Sequence, residues 1–446
     1  GQTSQPNMDR NGDLDPTEAS KSPSVRDTFS KKDDEDPEKK GEKKGTDPPN
    51  KSSHYDFYNS IGCPKYVVAP MVNQSELPFR MMCRKYNADL AYTPMIHAGL
   101  CLRYKGSRSG GGRGRVPFID SVFATCAEDQ PLVAQFCANT PGAFVAGAKM
   151  VEGRCQAIDL NLGCPQGIAK RGHYGAFLLE DTRLIREMVT TACLHLKTPV
   201  TCKIRILPKE EDTLALARTI QECGAQILAV HGRTRDMLQE KLGECDWDII
   251  KKVKQQLKIP IFANGGIENF EDCKRCMAHT GVDGVMVSEA LLENPALFSG
   301  KTIDNLDLAD EYIEFFHKYK HDPVGGFAAK GHLYKLLYKD LCYYTDLRNN
   351  MNKANIEYLL TVPGIIRKRR EEEKSTEKIK AMGTWYRRHR NRAIENEKRQ
   401  RAKEAKLQAE RKKTEDEDDH FLSKSSDTLQ PCHDRRWLNC SHVFCL

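Results

Sequence analysis

The chain has 446 residues, with 69 Lys and Arg against 62 Asp and Glu and a formal net charge of +7. That length admits two or three domains, while 29% charged against 39% hydrophobic residues is too polar a balance for a chain folded throughout. No stretch approaches the roughly 18 apolar residues of a membrane-spanning helix and the charged N-terminal residues lack a signal-like apolar run, so the 17 cysteines are expected as reduced thiols in the cytoplasm or nucleus.

Residues 1–60 are rich in Asp, Lys, Ser, Pro and Gly, lack periodicity and read as a disordered segment. Asp9, Asn11, Asp13 and Asp15 alternate as in a calcium loop, but the glycine is misplaced and no glutamate closes the loop, which rejects that reading. From Lys65 onward eight short apolar runs recur: Tyr66–Met71, Leu90–Met95, Leu132–Cys137, Ala157–Leu162, Val200–Ile204, Ile227–Val230, Ile259–Ala263 and Val285–Val287. Each is too short for a helix and nearly continuous in hydrophobicity, as a strand buried on both faces should be.

Helical patterns lie between most of these runs. Ser75 stands as a cap before Leu77, Phe79, Met82 and Cys83, and Thr213–Cys223 and Trp247–Leu257 repeat the 3.6-residue period. Strands alternating with helices over residues 61–305 predict an α/β fold of the (β/α)8 TIM-barrel type. The alternative, a doubly wound sheet, calls for a glycine-rich turn after its first strand; the turn here, Val72-Asn73-Gln74, has none. Residues 306–366 read as a helical domain, with apolar stripes at Tyr312, Phe315, Phe316 and Tyr319 and at Leu333, Leu336 and Leu337. Residues 367–419 form a strongly charged, basic helix or tail, either a solvated face or a grip on a polyanion such as RNA. Residues 420–446 are an irregular tail containing Cys and His.

In such a barrel the C-terminal strand ends line the active site. Those ends carry Ala69-Pro70-Met71, Gln135, Asn161 to Pro165, Lys203 with Arg205, His231 to Thr234, Asn264-Gly265-Gly266, and Ser288-Glu289. Lys203, His231 and Gln135 supply donors, and Gly265 and Gly266 allow close backbone approach to a ligand. The set fits a phosphorylated ring cofactor with acceptor atoms, a description that flavin mononucleotide (FMN) meets; a lysine at its N1 edge would stabilise the anionic reduced ring. Taken singly, each of these residues also suits a structural hydrogen-bonding role. Cys164, between glycine and proline where the chain must turn, is either a small core residue or a thiol at the barrel mouth able to give a proton to carbon.

Val68-Ala-Pro-Met-Val72, Leu160-Asn-Leu-Gly-Cys-Pro165, Gln166–Ala176 (QGIAKRGHYGA), Val200-Thr-Cys-Lys-Ile-Arg205, Val230-His-Gly-Arg-Thr234 and Phe262-Ala-Asn-Gly265 together resemble the tRNA-dihydrouridine synthases, over roughly residues 62–345. The form QGIAKRGHYGA most resembles the eukaryotic branch acting on D-loop uridines at the sixteenth and seventeenth positions. The resemblance implies that Pro70, Met71, Val72, Gln135, Lys203, His231, Asn264 and Gly265 hold FMN, with Ser288 and Glu289 at the phosphate end, where many relatives carry a Gly-Arg pair. It implies that Cys164 protonates C5 of uracil while reduced FMN gives hydride to C6, that NADPH or NADH re-reduces the flavin, and that Asn161 and Arg205 position uracil or flavin. The helix with Lys330, His332 and Lys335 is similar to the family's RNA-contacting helical domain. The implied substrate, a base in a tRNA D-loop, must leave its stack to reach the barrel mouth.

The chain departs from the family pattern in three places. Ser107–Arg115 (SRSGGGRGR) reads as a linker rather than an RNA contact; Met237 stands where relatives carry glutamine; and Cys432, His433, Cys440, His442 and Cys445 lack the paired spacing of a zinc site, so no metal is expected. Cys445 is also misplaced for prenylation. Two other functions compete. A small-molecule FMN reductase would share the flavin residues but has no use for Arg387-Arg388-His389-Arg390, and a non-catalytic RNA-binding scaffold predicts loss of Cys164 or Lys203, both of which are present. No membrane contact and no stable protein partner are expected.

Overall fold

The computed structural model describes residues 54–103, 118–238 and 243–389. Its strands are β1 (Tyr66–Val68), β2 (Leu90–Tyr92), β3 (Ile96–His97), β4 (Leu132–Cys137), β5 (Ala157–Leu162), β6 (Val200–Arg205), β7 (Leu228–His231), β8 (Ile261–Asn264) and β9 (Gly284–Val287). Every pairing is parallel. β1 pairs with both β2 and β9, and β2 pairs with β4, so eight strands close on themselves while β3 adds a two-residue bridge to β4. Closure rules out the doubly wound sheet, which needs two open edges. The eight apolar runs fall on the eight barrel strands; β3 is too short to leave a hydrophobic pattern.

Alternation along each strand divides the core in two. Inward residues Val67, Leu90, Val133, Ala157, Ile227 and Phe262 pack together inside the barrel. Outward residues such as Val68, Ala91, Ala134 and Ile158 join the larger cluster beneath the surrounding helices. The N-terminal end of the barrel is closed by Tyr58, from helix Asp56–Ser60, whose hydroxyl donates to the Asp283 carbonyl at 3.1 Å. The segment read as disordered therefore stops short of residue 60. Tyr55, Phe57, Tyr58 and Ile61 supply the apolar surface its earlier part lacks, while residues 1–53 lie outside the described residues.

Ser75 is not a helix cap. Helix Leu77–Lys85 starts after Glu76, and the Ser75 hydroxyl accepts from Met71 N–H at 3.0 Å, closing the turn after β1. The helix N-terminus is met instead by Asp322, whose carboxylate accepts from Leu77 N–H at 2.8 Å across 245 residues. That contact belongs to the helical region: Asn305–Lys318, Gly325–Leu336, Tyr338–Tyr343, Thr345–Lys353, Ile356–Glu373 and Thr376–Lys380. A second junction is fully buried: Glu76 accepts from the Tyr312 hydroxyl at 3.0 Å and from His332 Nε2 at 2.9 Å.

The boundary expected at residue 366 falls inside helix Ile356–Glu373. The basic residues beyond it begin as structural partners rather than a free tail. Arg367 pairs with Asp307 and Asp310, Arg369 with Asp346, and Arg370 with Asp304 and the buried Asp340. The chain then returns to the barrel, where Arg387 pairs with Glu268 and Arg388 with Glu289. The insert at 107–115 and the tails 390–419 and 420–446 lie outside the described residues. Among the described residues no helix is long and apolar enough to cross a membrane, and no three His, Cys, Asp or Glu side chains converge as metal ligands.

Candidate active site at the barrel mouth

Parallel register brings the polar strand-end residues to one level. Gln135 lies beside Asp159, Asn161 beside Lys203, Arg205 beside His231, and His231 beside Asn264. Their side chains form a connected network. Gln135 Nε2 donates to Asp159 at 2.9 Å, Asn161 Nδ2 donates to Gln135 Oε1 at 2.7 Å, and the Thr201 hydroxyl donates to Asp159 at 2.7 Å.

The turn after β5 is pinned on several sides. Asn161 Oδ1 accepts the N–H groups of Gly163 (3.1 Å) and Cys164 (2.9 Å), Arg205 Nε donates to the Gly163 carbonyl at 2.8 Å, and the Cys164 carbonyl accepts from Ala176 N–H at 3.0 Å. Gly175, at φ +65°, lets the returning chain pass: a Cβ there would lie 2.7 Å from the Cys164 carbonyl oxygen. Cys164 is thus partly exposed on a fixed turn, packed beside Cys137 and Tyr174. Burial raises its thiol above the ordinary cysteine value, opposed by the Gln166 backbone, Arg205 and Lys203. A thiol protonated at neutral pH is the form a proton donor requires.

Lys203 is 8% exposed, and among the described residues nothing accepts a hydrogen bond from its ammonium. Burial, then repulsion from Arg205, lowers it to about 8, while Asp159 opposes the shift. Asp159, fully buried, is itself raised to about 6 by desolvation, against hydrogen bonds from Gln135 and Thr201 and the charge of Lys203. His231 is pushed well below the usual histidine range by burial and by Arg205, Lys203 and Arg233, so it is a neutral hydrogen-bonding group near pH 7.

On the far side of the mouth a cavity of about 290 Å3 opens between the ends of β7, β8 and β9, lined by His231, Arg233, Asn264, Gly265, Gly266 and Ser288 among others. Asn264 is held by donation to the Met286 carbonyl at 2.8 Å. Gly265 and Gly266 have φ of +98° and +77°; a Cβ on either would come within 2.9 Å of His231 or Trp247. Only glycine fits that turn.

Of the expected site residues, Gln135, Asn161, Lys203, Arg205, His231, Asn264, Gly265, Gly266 and Ser288 converge on the mouth, with Cys164 on the turn above β5. Pro70 and Met71 lie partly buried in the turn after β1, and Val72 is 47% exposed there. Several expected residues already have partners inside the protein. Asn161 spends its carbonyl and one amide hydrogen there, holding the Cys164 turn and keeping one N–H for a ligand. Glu289 is engaged by Arg388 at 2.8 Å. His332 is fully buried against Glu76 and stacked on Phe79, with ring centroids 4.4 Å apart, so it cannot contact RNA. Lys330 is tied to the Asn352 carbonyl at 2.6 Å, and Lys335 reaches Gln74 in the turn after β1.

Sequence reasoning also missed Asp159 and Tyr386, and read Arg388 only as part of a basic tail. Asp159 had a signal: with Asn161 it marks every second position of Ala157–Leu162, a polar inward face in an otherwise apolar run. Tyr386 and Arg388 had none, because their partners lie about 100 residues away.

A closed parallel barrel with its polar groups gathered at the strand C-termini is the frame of a barrel enzyme. The dihydrouridine synthase family model matches residues 67–356. The chain is 40% identical to the mouse (Mus musculus) protein named tRNA-dihydrouridine(16/17) synthase NAD(P)(+)-like over 324 residues, 72% of this chain and 66% of that one. It is 41% identical to the tRNA-dihydrouridine(16/17) synthase of Saccharomyces cerevisiae over 67% of this chain and 71% of that one. For the Schizosaccharomyces pombe protein of the same name the identity is 40%, over 70% and 80%. The chain belongs to the dihydrouridine synthase family. It spans just under two thirds of the length of the mouse relative and more of the two yeast relatives.

Proposed function

We propose that this protein is an NAD(P)H-dependent tRNA-dihydrouridine synthase that reduces the C5=C6 bond of D-loop uridines, at the sixteenth and seventeenth positions, with FMN as its resident cofactor. The observation that carries this reading is Lys203, a largely buried side chain with no hydrogen-bond acceptor among the described residues, at the same barrel mouth as the Cys164 thiol on a pinned turn. A largely buried cation favours an electron-rich partner, and a ring with acceptor atoms supplies one. Lys203, neutral His231, Gln135 and Asn264 fit the polar edge of a flavin ring. Gly265 and Gly266 shape a turn that backbone can bring close to the ligand, and Arg233 with Arg205 suits an anionic group in the adjoining cavity.

FMN bound there would supply hydride chemistry toward C6 of uracil, with NADPH or NADH as the source of its electrons. The residues of the chain do the rest. Cys164 holds a proton ready for C5, on the face its turn presents. Asn161 and Arg205 fix that turn through the Gly163 and Cys164 backbone. The short exposed helix after it, Gly167–Arg171, with Ile168, Lys170 and Arg171, and His173 just beyond offer apolar and basic groups beside the entry of a flipped base. The names of the relatives support the reaction and the tRNA substrate.

The test is tRNA lacking dihydrouridine, incubated with the protein, FMN and NADPH and read by mass mapping of the D-loop. A gain of two mass units at those uridines is expected. An unchanged D-loop with flavin bound would refute the substrate assignment.

A further inference from the structure

Beyond helix Thr376–Lys380 the chain crosses back over the barrel mouth, and residues 385–389 form a strap across the ends of β8 and β9. It is held at points independent of one another. Tyr386 N–H donates to Glu293 at 3.1 Å; the Arg387 guanidinium grips both Glu268 carboxylate oxygens at 2.8 and 2.9 Å; and the Trp385 ring lies under Arg388 at 3.6 Å, with Lys335 5.3 Å from its centroid. Tyr386 and His389 line the same cavity as His231, Gly265 and Ser288.

The charges in that cavity conflict. Arg205 and Arg233 favour an anion, yet Glu289 places a carboxylate on the same wall, which would repel a phosphate. Arg388 resolves the conflict by donating to Glu289 at 2.8 Å. Its guanidinium is also fixed by donation to the Trp385 carbonyl at 2.8 Å, so the pair is held in place rather than a loose surface contact.

We propose that the strap completes the phosphate subsite of the cofactor: Arg388 neutralises Glu289 and Tyr386 closes the cavity against Arg233, so that the C-terminal segment selects a phosphorylated flavin over the unphosphorylated one. This rests on the flavin reading above. It assigns to this chain a positioning device supplied by a segment more than 90 residues after the barrel's last strand.

The experiment compares FMN with riboflavin, which has the same ring but no phosphate, by fluorescence titration of the flavin-free full chain. Arg388→Gln should weaken FMN roughly tenfold to a hundredfold, the worth of a hydrogen bond to a charged group, and leave riboflavin unchanged. Arg387 and Tyr386 still hold the strap in that variant, so the change is local. Adding Glu289→Gln to Arg388→Gln should restore FMN binding to within about threefold of Glu289→Gln alone. Unchanged FMN affinity in Arg388→Gln, equal weakening of both flavins, or no recovery in the double variant would each overturn the proposal while leaving the flavin reading intact. A wild-type chain that binds neither flavin would remove the flavin reading itself, and the proposal with it.

Discussion

Cys164 and Lys203 sit at the same mouth but are tuned in opposite directions by one cause. Burial holds the thiol protonated and loosens the proton on the lysine. Cys164→Ala should therefore bind flavin and accept reducing equivalents from NADPH at the wild-type rate, yet form dihydrouridine about 10²–10⁴-fold more slowly. Stopped-flow absorbance of the two half-reactions separates these steps, and a slowed reductive half would mean the thiol also shapes the cofactor site. For Lys203 the sign follows from its lowered value. Below about pH 8 the side chain is charged and favours an electron-rich ligand; above it the charge is lost. Flavin affinity should fall as pH rises through about 8 in the wild type and stay flat in Lys203→Met. Parallel profiles for the two proteins would exclude Lys203 as the titrating group.

At the scale of elements, the helical region is joined to the barrel through buried polar contacts set within a shared apolar cluster. His332 is the clearest instance. With Glu76 and Tyr312 it forms a network sealed from water, so His332→Ala removes one of the two side-chain partners of Glu76 and the ring stacked on Phe79, and should cost about 2–4 kcal/mol of stability. Urea unfolding reads that loss. tRNA affinity of the protein that remains folded should not change, whereas a residue gripping RNA would show the reverse. This element also shows what the sequence could and could not reveal. The eight apolar runs predicted the barrel because two-sided burial leaves a continuous hydrophobic signature, and β3, at two residues, leaves none. The strand-end residues were legible because closure of a barrel brings their ends to one level. His332 was misread as an RNA contact because a helix facing a polar junction has the same composition as one facing solvent. The 75/76 cap was misplaced because its real partner, Asp322, is 245 residues distant and local spacing carries no trace of it.

Over the whole molecule the positive charge is divided between two tasks. Arg367, Arg369 and Arg370 are spent on carboxylates within the helical region, and Arg387 and Arg388 on carboxylates that tie the strap to the barrel. On the proposed reading the polyanion is met by other groups, among them Lys170 and Arg171 of the short helix after Cys164 and the basic run from Arg390 to Lys413. Ending the chain after His389 keeps every described contact. That truncation should retain flavin binding and thermal stability, weaken tRNA binding and flatten its dependence on salt, since each lost phosphate contact lowers the slope by about one. A cut after Lys380 should in addition weaken FMN, because it removes the strap.

The decisive measurement is to reduce the purified flavin-loaded protein with NADPH, remove oxygen and excess nucleotide, and add tRNA lacking dihydrouridine while following the flavin absorbance. The bleached yellow band should return with that tRNA, in step with dihydrouridine appearing in the D-loop, and should not return with fully modified tRNA. A band that stays bleached with unmodified tRNA, or returns equally with both, would contradict the proposed function.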